Sequence, residues 1–155
     1  MKNRGSIGGV VLFVVYIIVL ADVLFLVRGI TVPQDFSFLQ NWRFHTNLKP
    51  FLTIRSYLHM IERYGISASG RIYWRNLAGN LVLFLPMGYF LPRLFPWFGT
   101  FFRTVLFTVF MIVCVEAAQL VTQSGSCDVD DLILNTVGCV LGYVIYKLLS
   151  RIKGK

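Results

Sequence analysis

Glu116 sits in the run VCVEAAQLVTQ, with Gln119 and Gln123 behind it and Asp128, Asp130 and Asp131 after the next turn. Helical spacing places Glu116, Gln119 and Gln123 at i, i+3 and i+7, on one face. Asn76 and Asn80 stack in the same way, as do Asp131 and Asn135. Carboxylates and amides collected like this can hold a polar headgroup, satisfy one another at helix ends, or do acid–base work. In the catalytic reading Glu116 and Asp131 are the reacting carboxylates, Glu116 as a buried base, with the aspartates offering hard oxygen ligands to a divalent cation. No nucleophile with an obvious partner accompanies them, and His45 and His59 lack ligand spacing. Asp-x-Asp-Asp alone is a weak metal motif, so the sequence assigns neither a metal nor a cofactor.

The elements that carry these residues are membrane helices. The chain has 155 residues, 56% of them hydrophobic and only 14% charged, where an ordinary soluble domain is about 25% charged. Four stretches approach the roughly 20 apolar residues that a hydrocarbon core requires: Ser6 to Val27, Asn76 to Phe95, Phe101 to Val121 and Asp131 to Leu149. The first is too long for a signal peptide and no small-residue cleavage site follows it. The fold class is therefore all-α, an integral membrane bundle of four transmembrane helices forming one domain over residues 1–155. Three cysteines, two of them within spans, give no disulfide framework.

Charge sets the orientation. The net charge of +8 comes from 15 basic and 7 acidic residues. With the N terminus inside, the inner flanks hold Lys2, Arg4, Arg93, Arg103, Lys147, Arg151, Lys153 and Lys155, with no acid among them. The last outer loop has no basic residue, against four in the C-terminal tail, so the positive-inside rule puts both termini in the cytoplasm. Membrane flanks account for the basicity, and nucleic acid is not needed to explain it.

The long outer loop runs from Arg28 to Arg75. Its middle, Leu48 to Tyr64, places Phe51, Ile54, Leu58 and Ile61 at helical spacing, which predicts either an amphipathic helix on the outer membrane surface or a loop that caps the bundle. Pro86 removes the donor that the carbonyl of Val82 would use, so the second span should break near LFLPMG. Gly138 and Gly142 form a small-xxx-small pair, suited to close helix packing within the chain. A dimer seam is the other use of such a pair, and the oligomeric state stays open.

Depth and face together locate the polar residues. At about 1.5 Å per residue from Phe101, Glu116 lies roughly 22 Å up, in the outer part of the core. The asparagines open the second span from outside and the aspartates open the fourth, leaving the inner half almost wholly apolar. A carboxylate at this depth costs about 2.5 to 3.5 kcal/mol on insertion scales and therefore needs partners. Arg71 and Arg75, just before the second span, are the nearest cations along the chain. Asp128 and Asp130 read as helix-end capping groups, whereas Glu116 with Gln119 reads as a pocket.

Four ordered motifs carry a family likeness: NLKPF from Asn47, NLAGNLVLFLPMGYFLP from Asn76, EAAQ from Glu116 and GSCDVDDLILNTVGCVLGY from Gly125. The chain resembles the VanZ-like family of small bacterial membrane proteins. That resemblance implies a role in resistance to teicoplanin-type lipoglycopeptides, drugs that act on lipid-linked cell-wall precursors, and it implies no particular reaction. Carried over by position, the recurrent polar residues are Asn76, Asn80, Glu116, Gln119, Asp128, Asp131 and Asn135. The turn before the aspartates holds Ser126 and Cys127, so the counter-charge falls to Arg71 or Arg75.

Three functions follow as expectations for a multi-pass protein of the bacterial cytoplasmic membrane. The first is an outer-leaflet pocket, formed by Arg71, Arg75 and the seven polar residues, that binds membrane lipid of anionic type or a lipid-linked cell-wall intermediate, or meets the lipoglycopeptide itself. The second is an enzyme acting on a lipid-linked phosphate or peptidoglycan precursor. The third is a lipid transporter, disfavoured by the apolar inner half.

Overall fold

The computed structural model describes residues 7–27, 46–122 and 126–152. Helix α1, Ile7–Asp22, runs on into a π-helical turn, Val23–Val27. A two-residue strand β1, Thr46–Asn47, precedes α2, Leu52–Tyr64. Then come α3, Ala68–Leu83, and α4, Leu85–Leu94. A 3-10 turn at Pro96–Phe98 leads to α5, Phe101–Thr122. Strand β2, Cys127–Asp128, pairs in parallel with β1 and opens directly into α6, Val129–Ile152. Of the residues named above, Lys2, Arg4, Ser6, Arg28, His45, Gln123, Gly125, Lys153 and Lys155 lie outside the described residues.

Four segments are long and apolar enough to cross a bilayer: Ile7–Phe25, Ala68–Leu94, Phe101–Thr122 and Val129–Ile152. The expected four-span bundle is therefore present. Its outward surface is apolar, with Val11, Leu12, Val82, Leu106, Phe110 and Leu148 all exposed, as spans that face lipid rather than water require. Inside, Leu20, Leu24, Phe84, Met87, Leu91 and Ile112 form the core.

The second span departs from expectation at its start. It begins at Ala68, two turns before Asn76, because Ser67 caps it by accepting a hydrogen bond from the backbone N–H of Gly70 at 3.2 Å. Gly65, at φ 55, ends α2, and a Cβ on Gly70 would strike the Gly65 carbonyl. Two glycines thus permit a corner tight enough to fold α2 back on α3. Arg71 and Arg75 consequently lie within α3 and not in a loop before it.

The break at Pro86 appears where the missing donor requires it. Helix α3 stops at Leu83, Phe84 is the hinge, and Pro86 occupies the first turn of α4. The Tyr16 hydroxyl donates to the exposed carbonyl of Leu83 at 2.9 Å, so α1 supplies a partner at the hinge.

Glycine fixes the tightest seam. A Cβ on Gly138 would meet the carbonyl of Leu81, and one on Gly142 the carbonyl of Leu85. Gly88 lies equally close to the Cys139 carbonyl. The small residues therefore serve packing within the chain: α3 and α4 run parallel to α6 at backbone contact distance. Helix α5 runs antiparallel to α6, with Cys139 Sγ 3.3 Å from Thr108 Oγ1 and the Tyr143 ring against Phe101.

The inner half is less apolar than the residue pattern suggests. Thr104 and Thr108 are fully buried, donating to the carbonyls of Phe98 and Thr104 at 2.7 and 2.9 Å. Tyr143 donates to the Gly99 carbonyl at 3.1 Å. Hydroxyls that close on nearby backbone pass as apolar positions in a hydropathy reading, which is why they were hidden.

Candidate functional site

Where α6 begins and α5 ends, level with the last turn of α3, polar side chains from four segments meet. Asn80 Nδ2 donates to Asp131 Oδ1, joining α3 to α6. Glu116, only 8% exposed, accepts from the backbone N–H of Asp128 through Oε2 at 3.3 Å, joining α5 to β2. Gln119, also buried, donates from Nε2 to the carbonyl of Leu24 at 2.7 Å. That carbonyl belongs to the π-helical turn, whose altered bonding pattern gives the amide an accessible acceptor.

Asp128 and Asp130 act as ties. Asp128 Oδ1 accepts from Asn47 Nδ2 at 3.0 Å, and its Oδ2 accepts from Thr53 Oγ1 at 2.6 Å. Asp130, with no exposed surface, turns Oδ1 to the N–H of Phe51 at 2.5 Å. Its Oδ2 takes the N–H groups of Thr53 and Ile54 at 2.7 and 3.0 Å. These are the orphan donors at the start of α2, which has no side-chain cap of its own. A carboxylate from α6 thus does the work of an N-cap for a distant helix, where the helix dipole also favours negative charge. Asp128 Oδ1 also accepts from the N–H of Asp130 at 2.9 Å, at the start of α6.

The other members of the predicted set are placed as follows. Asn135 is buried one turn below Asp131 on α6, and its Oδ1 has no hydrogen-bond partner among the described residues. Asn76 is half-buried on α3, one turn from Asn80. Arg71 and Arg75 are exposed on α3, and among the described residues neither forms an ion pair with the carboxylates. The structure therefore joins Asn80 to Asp131 and Glu116 to Asp128. It leaves the two arginines exposed in the first two turns of α3, above the turn that carries Asn80.

Sequence reasoning missed Asn47 and Thr53. Asn47 both bonds Asp128 and accepts from the Lys49 N–H at 3.0 Å, the Asx pattern that starts the turn into α2. The signal was the NLKPF motif, in which an asparagine two residues before a Lys-Pro turn suits this local bond. Which carboxylate it would meet, 81 residues away, no local pattern encodes.

Cys127 lies beside Glu116 in β2. Burial pushes its thiol above the ordinary range, and the negative charges of Glu116 and Asp128 add to the effect. The three cysteines are free thiols. Among the described residues, no three His, Cys, Asp or Glu side chains gather in a way that could hold a metal ion.

Comparison with known proteins agrees with this architecture. The family model described as VanZ/LLP1 matches residues 13–150, from the first span to the last turns of α6. Protein VanZ of Enterococcus faecium is 31% identical over 78 residues, covering 50% of this chain and 48% of that protein. The match thus spans about half the length of the relative. No solved structure matches the chain.

Proposed function

The chain belongs to the VanZ/LLP1 family, and on that premise we propose that its polar end binds an anionic lipid or lipid-linked cell-wall intermediate in the outer leaflet of a bacterial cytoplasmic membrane. Such binding lowers the action of teicoplanin-type lipoglycopeptides by withholding or altering their target. The reading is of a binding protein with both termini in the cytoplasm. The observation that carries it is the convergence of Asn80, Glu116 and Asp131 from three helices on one end of the bundle.

Placing acids at that depth is unfavourable in a bilayer, by about 2.5 to 3.5 kcal/mol for an aspartate at a helix centre. Two of the acids, Asp128 and Asp130, have an evident structural use. Glu116 and Asp131 accept from the Asp128 N–H and from Asn80, and carboxylates of this kind suit the donors of a sugar, an amide or an amine. Arg71 and Arg75 stand exposed in the first two turns of α3, on the outer side of Asn80, where their planar donor forks suit a phosphate. Leu48, Phe51, Leu52 and Leu58, in and just before α2, and Ile72 and Trp74 on α3 are exposed as well. That mixture of apolar and basic groups fits an α2 that lies in the headgroup region. Orientation is supported by the opposite end, whose flanks carry Arg93, Arg103, Lys147 and Arg151 without an acid.

The test compares parent, E116Q and R75A proteins in two assays: retention of lipid-linked precursor by the purified protein, and lipoglycopeptide susceptibility of cells that express it. Loss of both in E116Q, with R75A weakened, is the expected result. Variants that bind and protect as well as the parent would sink the reading.

A further inference from the structure

The end of the bundle opposite the polar cluster carries the converse charge. The chain's acids are Asp22, Asp35, Glu62, Glu116, Asp128, Asp130 and Asp131, and none falls in 85–115 or 132–152, the described segments that lead to this end. Three cations there are each held on an aromatic ring. Arg93 lies 5.5 Å from the Tyr89 ring centroid and donates to the Tyr89 hydroxyl at 2.7 Å. Arg103 lies 5.4 Å from the Trp97 ring and donates to the Trp97 carbonyl at 3.3 Å. Lys147 lies 5.6 Å from the Tyr143 ring.

The seams bring the three to a common level. Gly142 against Leu85 and Tyr89 sets α4 and α6 in parallel register, so Arg93, one turn past Tyr89, stands at the level of the turn that carries Lys147. Tyr143 packs against Phe101 and bonds the Gly99 carbonyl, which brings the start of α5, with Arg103, to the same rim. Around them Phe95, Trp97 and Phe102 are exposed.

We infer that this rim, Arg93, Arg103 and Lys147 on their aromatic rests, is a binding site for the phosphate headgroup of an anionic phospholipid. A cation stacked on a ring gives up only a little of its donor capacity. Arg103 uses one of five N–H donors on the Trp97 carbonyl, and Lys147 keeps all three of its own. The stacking also removes rotamer freedom in advance, so less is lost when a phosphate arrives. A lipid, not a free anion, fits the place: the rim closes the ends of membrane spans, and the exposed Phe95, Trp97 and Phe102 offer apolar surface alongside the headgroup for the first acyl carbons. Basic groups between spans at one membrane surface are the kind of site that anionic headgroups occupy. This site is separate from the polar cluster and does not rest on the function proposed for it.

The test uses the full chain in nanodiscs of phosphatidylcholine alone or with phosphatidylglycerol, followed by native mass spectrometry of the lipids that stay bound. The parent should retain phosphatidylglycerol in preference to phosphatidylcholine. R103Q and K147Q should each lose about fivefold in that preference, R103K should keep most of it, and R63Q, on α2, should match the parent. Circular dichroism and size exclusion check that each variant folds. No preference in the parent, an equal loss in R63Q, or full retention in both Gln variants would overturn the inference. So would displacement of the bound lipid by inorganic phosphate at low concentration, since that would make the ligand a free anion.

Discussion

The start of α2 depends on one carboxylate. Asp130 accepts from the N–H groups of Phe51, Thr53 and Ile54 while fully buried. A hydrogen bond to a charged group contributes about 1.5 to 3 kcal/mol. Three of them cannot simply be summed, because α2 can detach from α6 once the first is lost. The relevant quantity is the free energy of that local opening, which D130A should reduce by about 3 kcal/mol, the low end for removing one partner of a buried charged contact. At 1.36 kcal/mol per decade, protection of these amides should fall about 100-fold. D130N is milder in a defined way. Its single oxygen can serve Thr53 and Ile54, which share Oδ2, while its NH2 faces the N–H of Phe51. The expected loss is about tenfold, largest at Phe51.

Hydrogen exchange read by mass spectrometry on the protein in nanodiscs measures this directly, comparing peptides over 46–58 with peptides from α5. Protection in α5 should not change, since Asp130 makes no bond to it among the described residues. If D130A leaves the 46–58 peptides within twofold of the parent, the carboxylate is not the cap that its distances indicate. If α5 opens as well, Asp130 supports the whole bundle and the local argument is wrong.

Other expectations follow from the same geometry. In a protein whose Cys114 and Cys139 are replaced by alanine, alkylation of Cys127 should be slow at neutral pH and rise with alkali beyond the usual thiol range, because its thiolate is disfavoured by burial and by Glu116 and Asp128. E116Q removes one of those charges, lowers the thiol's pKa and should speed alkylation a few-fold at fixed pH. An unchanged rate would place the Glu116 charge elsewhere. G138A puts a methyl against the Leu81 carbonyl and should destabilise the protein by about 1 to 3 kcal/mol in thermal unfolding. Its oligomeric state should not change. Purified protein given labelled polyprenyl phosphates, with and without magnesium, should show no turnover. Turnover lost in E116Q or in an Asp131→Asn variant would replace the binding reading with an enzymatic one.

The spans were legible because a bilayer admits few solutions: an apolar run of the right length must be helical, and Pro86 must interrupt it. Gly138 and Gly142 were legible for a related reason, since small residues in a membrane helix invite a close neighbour. The start of α3 was not. Arg71 and Arg75 gave the segment the polarity of a loop, whereas Ser67 and the Gly65–Gly70 corner decided the helix locally. Face and depth pointed to Glu116 and Asp131 on the side where α6 begins, yet not to the bonds they make with Asp128 and Asn80. Asp128 and Asp130 meet Asn47, Phe51, Thr53 and Ile54 across more than 70 residues, and such pairings depend on the docking of α2, which the amphipathic pattern allowed without specifying.

Asn135 separates a ligand site from mere helix adhesion. It is buried on α6, one turn below Asp131, with Oδ1 unpartnered among the described residues. A buried polar group without a partner costs about 1 to 3 kcal/mol in desolvation. Leucine matches the branching of asparagine at Cγ and carries no such burden, so N135L should leave thermal stability equal to the parent's or raise it. If the amide serves the proposed lipid site, N135L should at the same time lose precursor retention and lipoglycopeptide protection. Stability and function would then move independently, or in opposite directions, as expected where a polar group is kept for binding at the expense of packing. A clear fall in thermal stability, by about 2 kcal/mol or more, would instead make Asn135 structural glue. The argument for a pocket would then rest on Glu116 and Asp131 alone.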